Sequence, residues 1–219
     1  MDFYTLVYYS TFISPIILLG GIIVGIYYFK RLDILRKIIA VYIFTMFVTD
    51  ILARFIGIVY GNNLILIPIY GALELSMFSI FYYFLGIKDN LIKKIILFLI
   101  LISSFVFTFW EAAKVYNLPI TQFQSYSKVI STLMIVLLSI SFFLEKIYLK
   151  KDIKSDIFLL NSGVLLFYSL NLIIFLPIDF LINDNSGLKF YFWFANLIFT
   201  LIFYTFLILS VWKNGRIRE

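Results

Sequence analysis

The stretch FVTDILARFIG, residues 47–57, places two opposite charges inside an otherwise apolar run. Asp50 and Arg54 are four residues apart, so in a helix they lie one turn apart on the same face. The acid is nearer the N-terminus, which is the favourable order for an ion pair of this spacing. A pair of this kind in so apolar a segment indicates a helix that lies in lipid and neutralises its own charges.

The composition of the whole chain agrees with this interpretation. Of its 219 residues, 63% are hydrophobic and only 14% are charged, and the mean hydropathy is +1.04. A soluble domain usually has about 25% charged residues. The chain has no cysteine and no histidine, which excludes disulfides, thiolate metal sites and the commonest general base. We predict no metal and no cofactor, and no motif indicates an enzyme.

Seven apolar segments approach the length of about 20 residues that a transmembrane helix needs. They cover residues 8–29, 38–60, 64–86, 95–110, 126–148, 157–182 and 190–212. The fourth is the shortest, and the sequence leaves open whether it crosses fully. Because the connections are short, we expect one all-α domain over residues 1–219, a bundle of seven transmembrane helices.

The basic residues predict how this bundle is oriented. Most of the 18 Lys and Arg residues follow spans one, three, five and seven. The positive-inside rule then places the N-terminus outside and the C-terminus in the cytoplasm. This distribution also explains the net charge of +6 without a nucleic-acid partner. We expect a cytoplasmic protein partner to contact basic residues that include Lys30, Arg31, Arg36, Lys37, Lys150 and Lys151.

A candidate ligand or ion site lies in the middle of the spans. Glu74 is near mid-depth of span three, and the turn at residues 61–63 makes spans two and three neighbours. We therefore expect Glu74 to join Asp50 and Arg54 in one intramembrane charge cluster. Polar residues at helical spacing extend this candidate site: Tyr70, Asn161, Tyr168, Asn171 and Asn196. Buried Asn side chains also serve as ordinary hydrogen-bond partners between helices, and that alternative stays open.

Span one contains GIIVG, residues 21–25, in which two glycines are four residues apart. This GxxxG spacing predicts close helix packing. The packing is either within the chain or in a homo-oligomer.

Three stretches resemble a family of proteins: NNLILIPIYGALEL (62–75), FLLNSGVLLFYSLN (158–171) and FWFANLIFTLIF (192–203). The chain is similar to an uncharacterised family of small seven-span proteins that is widespread in Bacteroidota. Its members are often encoded beside sensor kinases of two-component systems. The resemblance implies a multi-pass protein of the bacterial inner membrane with a sensory role. The family positions would be Asn62, Asn63, Tyr70, Glu74, Asn161, Ser162, Gly163, Tyr168 and Asn196.

The function that we predict is that of a sensor or receptor-like protein, which passes a signal to its partner through the cytoplasmic loops. An alternative is a small transporter, an ion-conducting protein or a membrane-perturbing effector whose pathway uses the charge cluster. A second alternative is a structural subunit of a membrane complex. The sequence does not identify the ligand, the ion or the partner.

Overall fold

The computed structural model describes residues 3–87, 90–115, 126–150, 152–177 and 187–217, which are almost entirely helical. In chain order, these ranges form α1 (Phe3–Ser10), α2 (Ile13–Tyr28), α3 (Ile34–Tyr60), α4 (Leu66–Tyr82), α5 (Leu91–Val115), α6 (Tyr126–Tyr148), α7 (Ser155–Phe175) and α8 (Leu188–Ile217). A π-helical turn, Tyr83–Ile87, continues α4.

The described residues contain seven helices that are long and apolar enough to cross a membrane. They are Thr5–Tyr28, Ile34–Tyr60, Leu66–Gly86, Leu91–Lys114, Tyr126–Tyr148, Ser155–Phe175 and Phe190–Ile217. The prediction of an all-α bundle with seven such spans is confirmed. The chain is a multi-pass membrane protein surrounded by lipid.

Two spans differ from their predicted boundaries. Span four, predicted at 95–110, belongs to the 25-residue helix α5 and is long enough to cross. The prediction was too short because Lys and Glu residues near both ends of the helix lower the hydropathy. The same residues favour a helix, so α5 continues through them. The first span is interrupted by a turn at Thr11 and Phe12, which separates α1 from α2. Residues 178–182 of the predicted sixth span lie outside the described ranges.

The turn between α3 and α4 follows from its sequence. Gly61 ends α3 with a φ of 75°, a left-handed conformation that glycine adopts without steric cost. The side-chain amide of Asn63 then donates to the carbonyl of Ala53 at 3.2 Å. This bond holds the turn against the end of α3, so that α4 returns beside it.

The core of the bundle is aromatic. The Phe78 ring packs edge-on against Tyr42 and Tyr168, with ring centroids 5.2 and 5.1 Å apart. Phe203 of α8 stacks on Phe167 at 4.0 Å. These contacts join α3, α4, α7 and α8 around one centre. In contrast, α5 lies at the edge, where it contacts α4, the π-helical turn and α6.

The GxxxG glycines are used within the chain. A Cβ on Gly21 would lie 2.7 Å from the side chain of Ile208 in α8, and one on Gly25 would lie 3.3 Å from Ala40 in α3. Glycine therefore permits the close approach of α2 to both neighbours. A homo-oligomer stays a prediction.

The two ends of the bundle differ in charge. We call the end that carries the α2–α3 turn, the start of α5, the α6–α7 turn and the end of α8 the basic end. It includes Lys30, Arg31, Lys93, Lys94, Lys150 and Lys213. The other end, with Thr11 and Gly61, is called the far end.

Candidate intramembrane charge site

A buried ion pair joins α4 to α6. The Lys128 ammonium donates to the Glu74 carboxylate at 2.5 Å, and the two side chains are only 6% and 7% exposed. The Lys128 Nζ also lies 5.4 Å from the centre of the Phe175 ring in α7. Three helices therefore meet at this pair. Taking two charges out of water is costly, and close pairing offsets most of that cost.

Gly71 explains why Lys128 can reach Glu74. It lies one turn before Glu74 on α4, and a Cβ there would stand 3.0 Å from the Cα of Lys128. A larger residue would push the two helix backbones apart. The chain thus places a glycine where α6 must approach α4 for the ion pair to form.

A second carboxylate supports the start of α6. Glu111, near the end of α5, accepts a hydrogen bond from the backbone N–H of Ser127 at 2.7 Å. The first N–H groups of a helix have no partner within the helix, and their partial positive charge favours an anion. Glu111 is 3% exposed. It therefore fixes the helix end from which Lys128 extends.

The predicted pair within α3 is also present, but its surroundings differ. Arg54 and Asp50 are 3.4 Å apart, and their side chains are 24% and 19% exposed. Arg54 makes its shorter hydrogen bond to the carbonyl of Thr11, at 2.6 Å, and lies 4.8 Å from the Phe12 ring. Arg54 thus holds the α1–α2 turn against α3.

We expected Glu74 to join Asp50 and Arg54 in one cluster, and the structure pairs its carboxylate with Lys128 instead. Tyr70 lies between the two pairs, within electrostatic range of Asp50, Arg54 and Glu74. The site therefore has two acids and two bases in two separate pairs.

Tyrosines surround the Glu74 side of the site. Tyr42, Tyr168 and Tyr204 are all close enough to Glu74 to interact with its charge. Tyr42 and Tyr168 are 2% and 0% exposed, and neither hydroxyl has a hydrogen bond of normal geometry. Buried polar groups in proteins almost always have a partner, which can be a water or a ligand. These two hydroxyls lie close to each other beside a buried carboxylate.

The predicted Asn residues connect helices elsewhere. Asn161 accepts from the hydroxyl of Tyr82 at 2.6 Å and from that of Ser139 at 3.0 Å, joining α7 to α4 and α6. Asn171 donates to Asn196 of α8 at 3.0 Å. These contacts fit the alternative of ordinary interhelical hydrogen bonds. They do not bring the three Asn residues into the charge site at contact distance.

At the basic end, Arg36 takes a different place from the one predicted. It is 3% exposed and binds Asp33 at 3.0 Å and Asp156 at 2.7 Å, which ties α3 to α7. Its guanidinium is therefore engaged within the chain. Lys30, Arg31 and Lys150 are exposed and Lys37 is partly exposed, whereas Lys151 lies outside the described residues.

Lys128 is the site residue that sequence reasoning missed. It lies two residues after the start of span five, where a lysine is usually at the membrane surface. The signal that could have found it is the side-chain length of lysine, which lets a charge near a helix end reach a buried partner. The partner, 54 positions earlier in the sequence, had no such signal.

The polar groups of the site are carboxylates, an ammonium, a guanidinium and tyrosine hydroxyls. Among the described residues, no group of three or more Asp, Glu, His or Cys side chains could hold a metal ion.

No known protein family, curated protein or solved structure matches this chain. The class of the protein is therefore defined by its fold and this site: a multi-pass membrane helix bundle with a buried interhelical ion pair.

Proposed function

We propose that this protein is a membrane sensor in which the Glu74–Lys128 pair is the responsive element. The observation that carries the proposal is the position of the pair. Its two charges come from different helices and are almost fully buried. Neutralising one partner would leave the other as an uncompensated buried charge, which costs about 3–5 kcal/mol. That is enough to move a helix contact between two arrangements.

The stimulus would be a proton or a small polar ligand that reaches Glu74. The hydroxyls of Tyr42 and Tyr168 lie near its charge and could turn from each other to donate hydrogen bonds to such a ligand. Either stimulus would act by weakening the bond between Glu74 and Lys128. Because Gly71 keeps α4 and α6 in contact at this level, the change would be transmitted along both helices.

The output would be a protein partner at the basic end, which we propose faces the cytoplasm of a bacterial inner membrane. Exposed lysines and arginines on the α2–α3 and α6–α7 turns offer contacts for an acidic surface. The family resemblance implies a sensory role, and an output to a partner protein agrees with that role. In the bundle, α6 connects the ion pair to this end, because it runs from Lys128 to the α6–α7 turn.

The test uses the absence of cysteine from the chain. Tyr148→Cys and Ile217→Cys place spin labels at exposed positions where α6 and α8 reach the basic end. Pulsed electron paramagnetic resonance would then measure the distance between the two labels. Glu74→Gln, which imitates a protonated carboxyl, is expected to shift the distance distribution. Asp50→Asn is the matched control and should leave it unchanged. An unshifted distribution in folded Glu74→Gln protein would contradict a sensor and favour a structural role.

A second candidate function is proton conduction. It is favoured by a row of buried polar side chains between the ion pair and the basic end. Below the ion pair, the hydroxyls of Ser79 and Thr132 are fully buried and lack hydrogen bonds. The cluster of Tyr82, Ser139 and Asn161 follows along the same helices. Tyr82 also lines a cavity of about 210 Å³ at the basic end.

Flux in proteoliposomes separates the two functions. Conduction predicts a proton flux that Glu74→Gln abolishes and that Asp50→Asn leaves in place. Folded native protein that carries no flux would exclude this second function. It would leave the distance measurement as the test of the sensor.

A further inference from the structure

A lateral groove separates the end of α4 from the first half of α5. It has a volume of about 430 Å³, within the range of ordinary ligand sites. Its walls are almost wholly apolar, and three of the wall residues are exposed on the outer surface of the bundle: Ile80, Phe84 and Phe98. The groove therefore opens sideways, toward the hydrocarbon of the bilayer.

The groove is built into the backbone. Tyr83 and Phe84, which line it, belong to the π-helical turn that continues α4. A π-helical turn is wider than an α-helical one, is rare, and occurs frequently at functional sites. Here it continues α4 and contacts α5 beside the groove.

One positive charge lies at the basic end of this groove. Lys94 lines it, and its ammonium is 5.9 Å from the centre of the Tyr83 ring. Lys93, its neighbour in the sequence, is bound by Glu145 at 2.6 Å. Among the described residues, Lys94 has no carboxylate within ion-pair distance. The groove thus combines an apolar wall with an unneutralised cation at the level of the lipid headgroups.

We infer that this groove binds an anionic phospholipid, with one acyl chain along α5 and its phosphate on Lys94. The charge selects an anionic headgroup, and the lateral opening selects a molecule that arrives from the bilayer. A second copy of the chain would need a polar partner for Lys94 at the same place. The inference does not rest on the proposed sensor function.

The test is native mass spectrometry of the full chain in detergent, with phosphatidylglycerol or phosphatidylcholine of the same acyl chains added. Native protein is expected to retain phosphatidylglycerol about fivefold better, the effect of one lysine beside an anionic headgroup. Lys94→Gln should reduce phosphatidylglycerol retention to that of phosphatidylcholine. Lys213→Gln, an exposed lysine of α8, is the matched control and should retain the preference.

A second variant tests the acyl-chain part of the site. Leu101→Trp fills the groove without changing charge and should reduce retention of both lipids, with the fold monitored by circular dichroism. Equal retention of both lipids by native protein would overturn the proposal. So would equal losses in Lys94→Gln and Lys213→Gln, or displacement of the lipid by millimolar inorganic phosphate, which would indicate a site for free anions. Groove-dependent dimers in place of bound lipid would also overturn it.

Discussion

Two ion pairs of similar chemistry lie in this bundle, and they differ in what they connect. Asp50 and Arg54 are on one helix, 3.4 Å apart and about one-fifth exposed. Glu74 and Lys128 are on two helices, 2.5 Å apart and almost fully buried. The first pair would form in any helix of this sequence, whereas the second exists only in the folded bundle. The pair that spacing reveals is therefore local, whereas the pair that joins two helices depends on the fold, and we expect the second to contribute more to stability.

The largest effect is expected from breaking the buried pair. Lys128→Met removes the cation and leaves the Glu74 carboxylate buried without its partner. We expect the free energy of unfolding to fall by about 3–5 kcal/mol. The measurement is unfolding of the purified protein by SDS in mixed micelles. A loss below 1 kcal/mol would show that the buried pair contributes no more than an exposed one.

A smaller effect is expected from separating the helices that hold the pair. Gly71→Ala places a methyl group 3.0 Å from the backbone of Lys128, in a contact that cannot relax by side-chain movement. We expect a loss of about 1–3 kcal/mol in the same assay. Gly20→Ala is the control, because nothing lies within 4 Å of a Cβ at that position. It should be neutral or slightly stabilising, and equal losses in both variants would contradict this account of α4 and α6.

The third largest loss of stability is expected from an uncharged hydrogen-bond cluster that also joins α4 and α6. Asn161→Ala removes the acceptor of the Tyr82 hydroxyl and the nearer acceptor of Ser139, which keeps only the Asn161 main-chain carbonyl at 3.4 Å. We expect a loss of about 1–2 kcal/mol, as for other interhelical hydrogen bonds in membranes. Asn171→Ala, which affects the single bond to Asn196, is the natural comparison and should cost less. The reverse order would show that the Asn161 cluster is not a packing contact of α4, α6 and α7.

The smallest effect is expected at the pair within α3. Asp50→Asn keeps the size of the side chain, and Arg54 retains its bond to the Thr11 carbonyl. We expect a loss of no more than about 1 kcal/mol, the range for partly exposed ion pairs. A loss as large as that of Lys128→Met would abolish the distinction between the two pairs. The measurement is again unfolding by SDS.

The sequence predicted the seven spans because each one is a local property. Apolar runs such as that of α8 are long enough to identify without knowledge of the neighbouring helices. The i, i+4 pair of α3 is local in the same sense. The turn at Gly61 was also predictable, since glycine there follows an apolar run and ends it.

The remainder of the site could not be predicted, because it depends on which helices are neighbours. The bond of Lys128 to Glu74 requires that α6 packs on α4, which no spacing in a single sequence reveals. The engagement of Arg36 with Asp156 requires that α7 begins beside α3. Lys128 and Arg36 lie near span ends, where basic residues are used to predict the orientation of the chain. That use gives no information about their ion pairs inside the bundle.

The central claim is that the Glu74–Lys128 pair couples α4 to α6. A double-mutant cycle with Glu74→Gln, Lys128→Met and their combination measures this coupling directly, through the free energy of unfolding. We predict a coupling energy of about 2–3 kcal/mol, because the doubly neutral site no longer contains an uncompensated charge. The parallel cycle with Asp50→Asn and Arg54→Gln should give less than about 1 kcal/mol. Additive losses at Glu74 and Lys128 would contradict the claim.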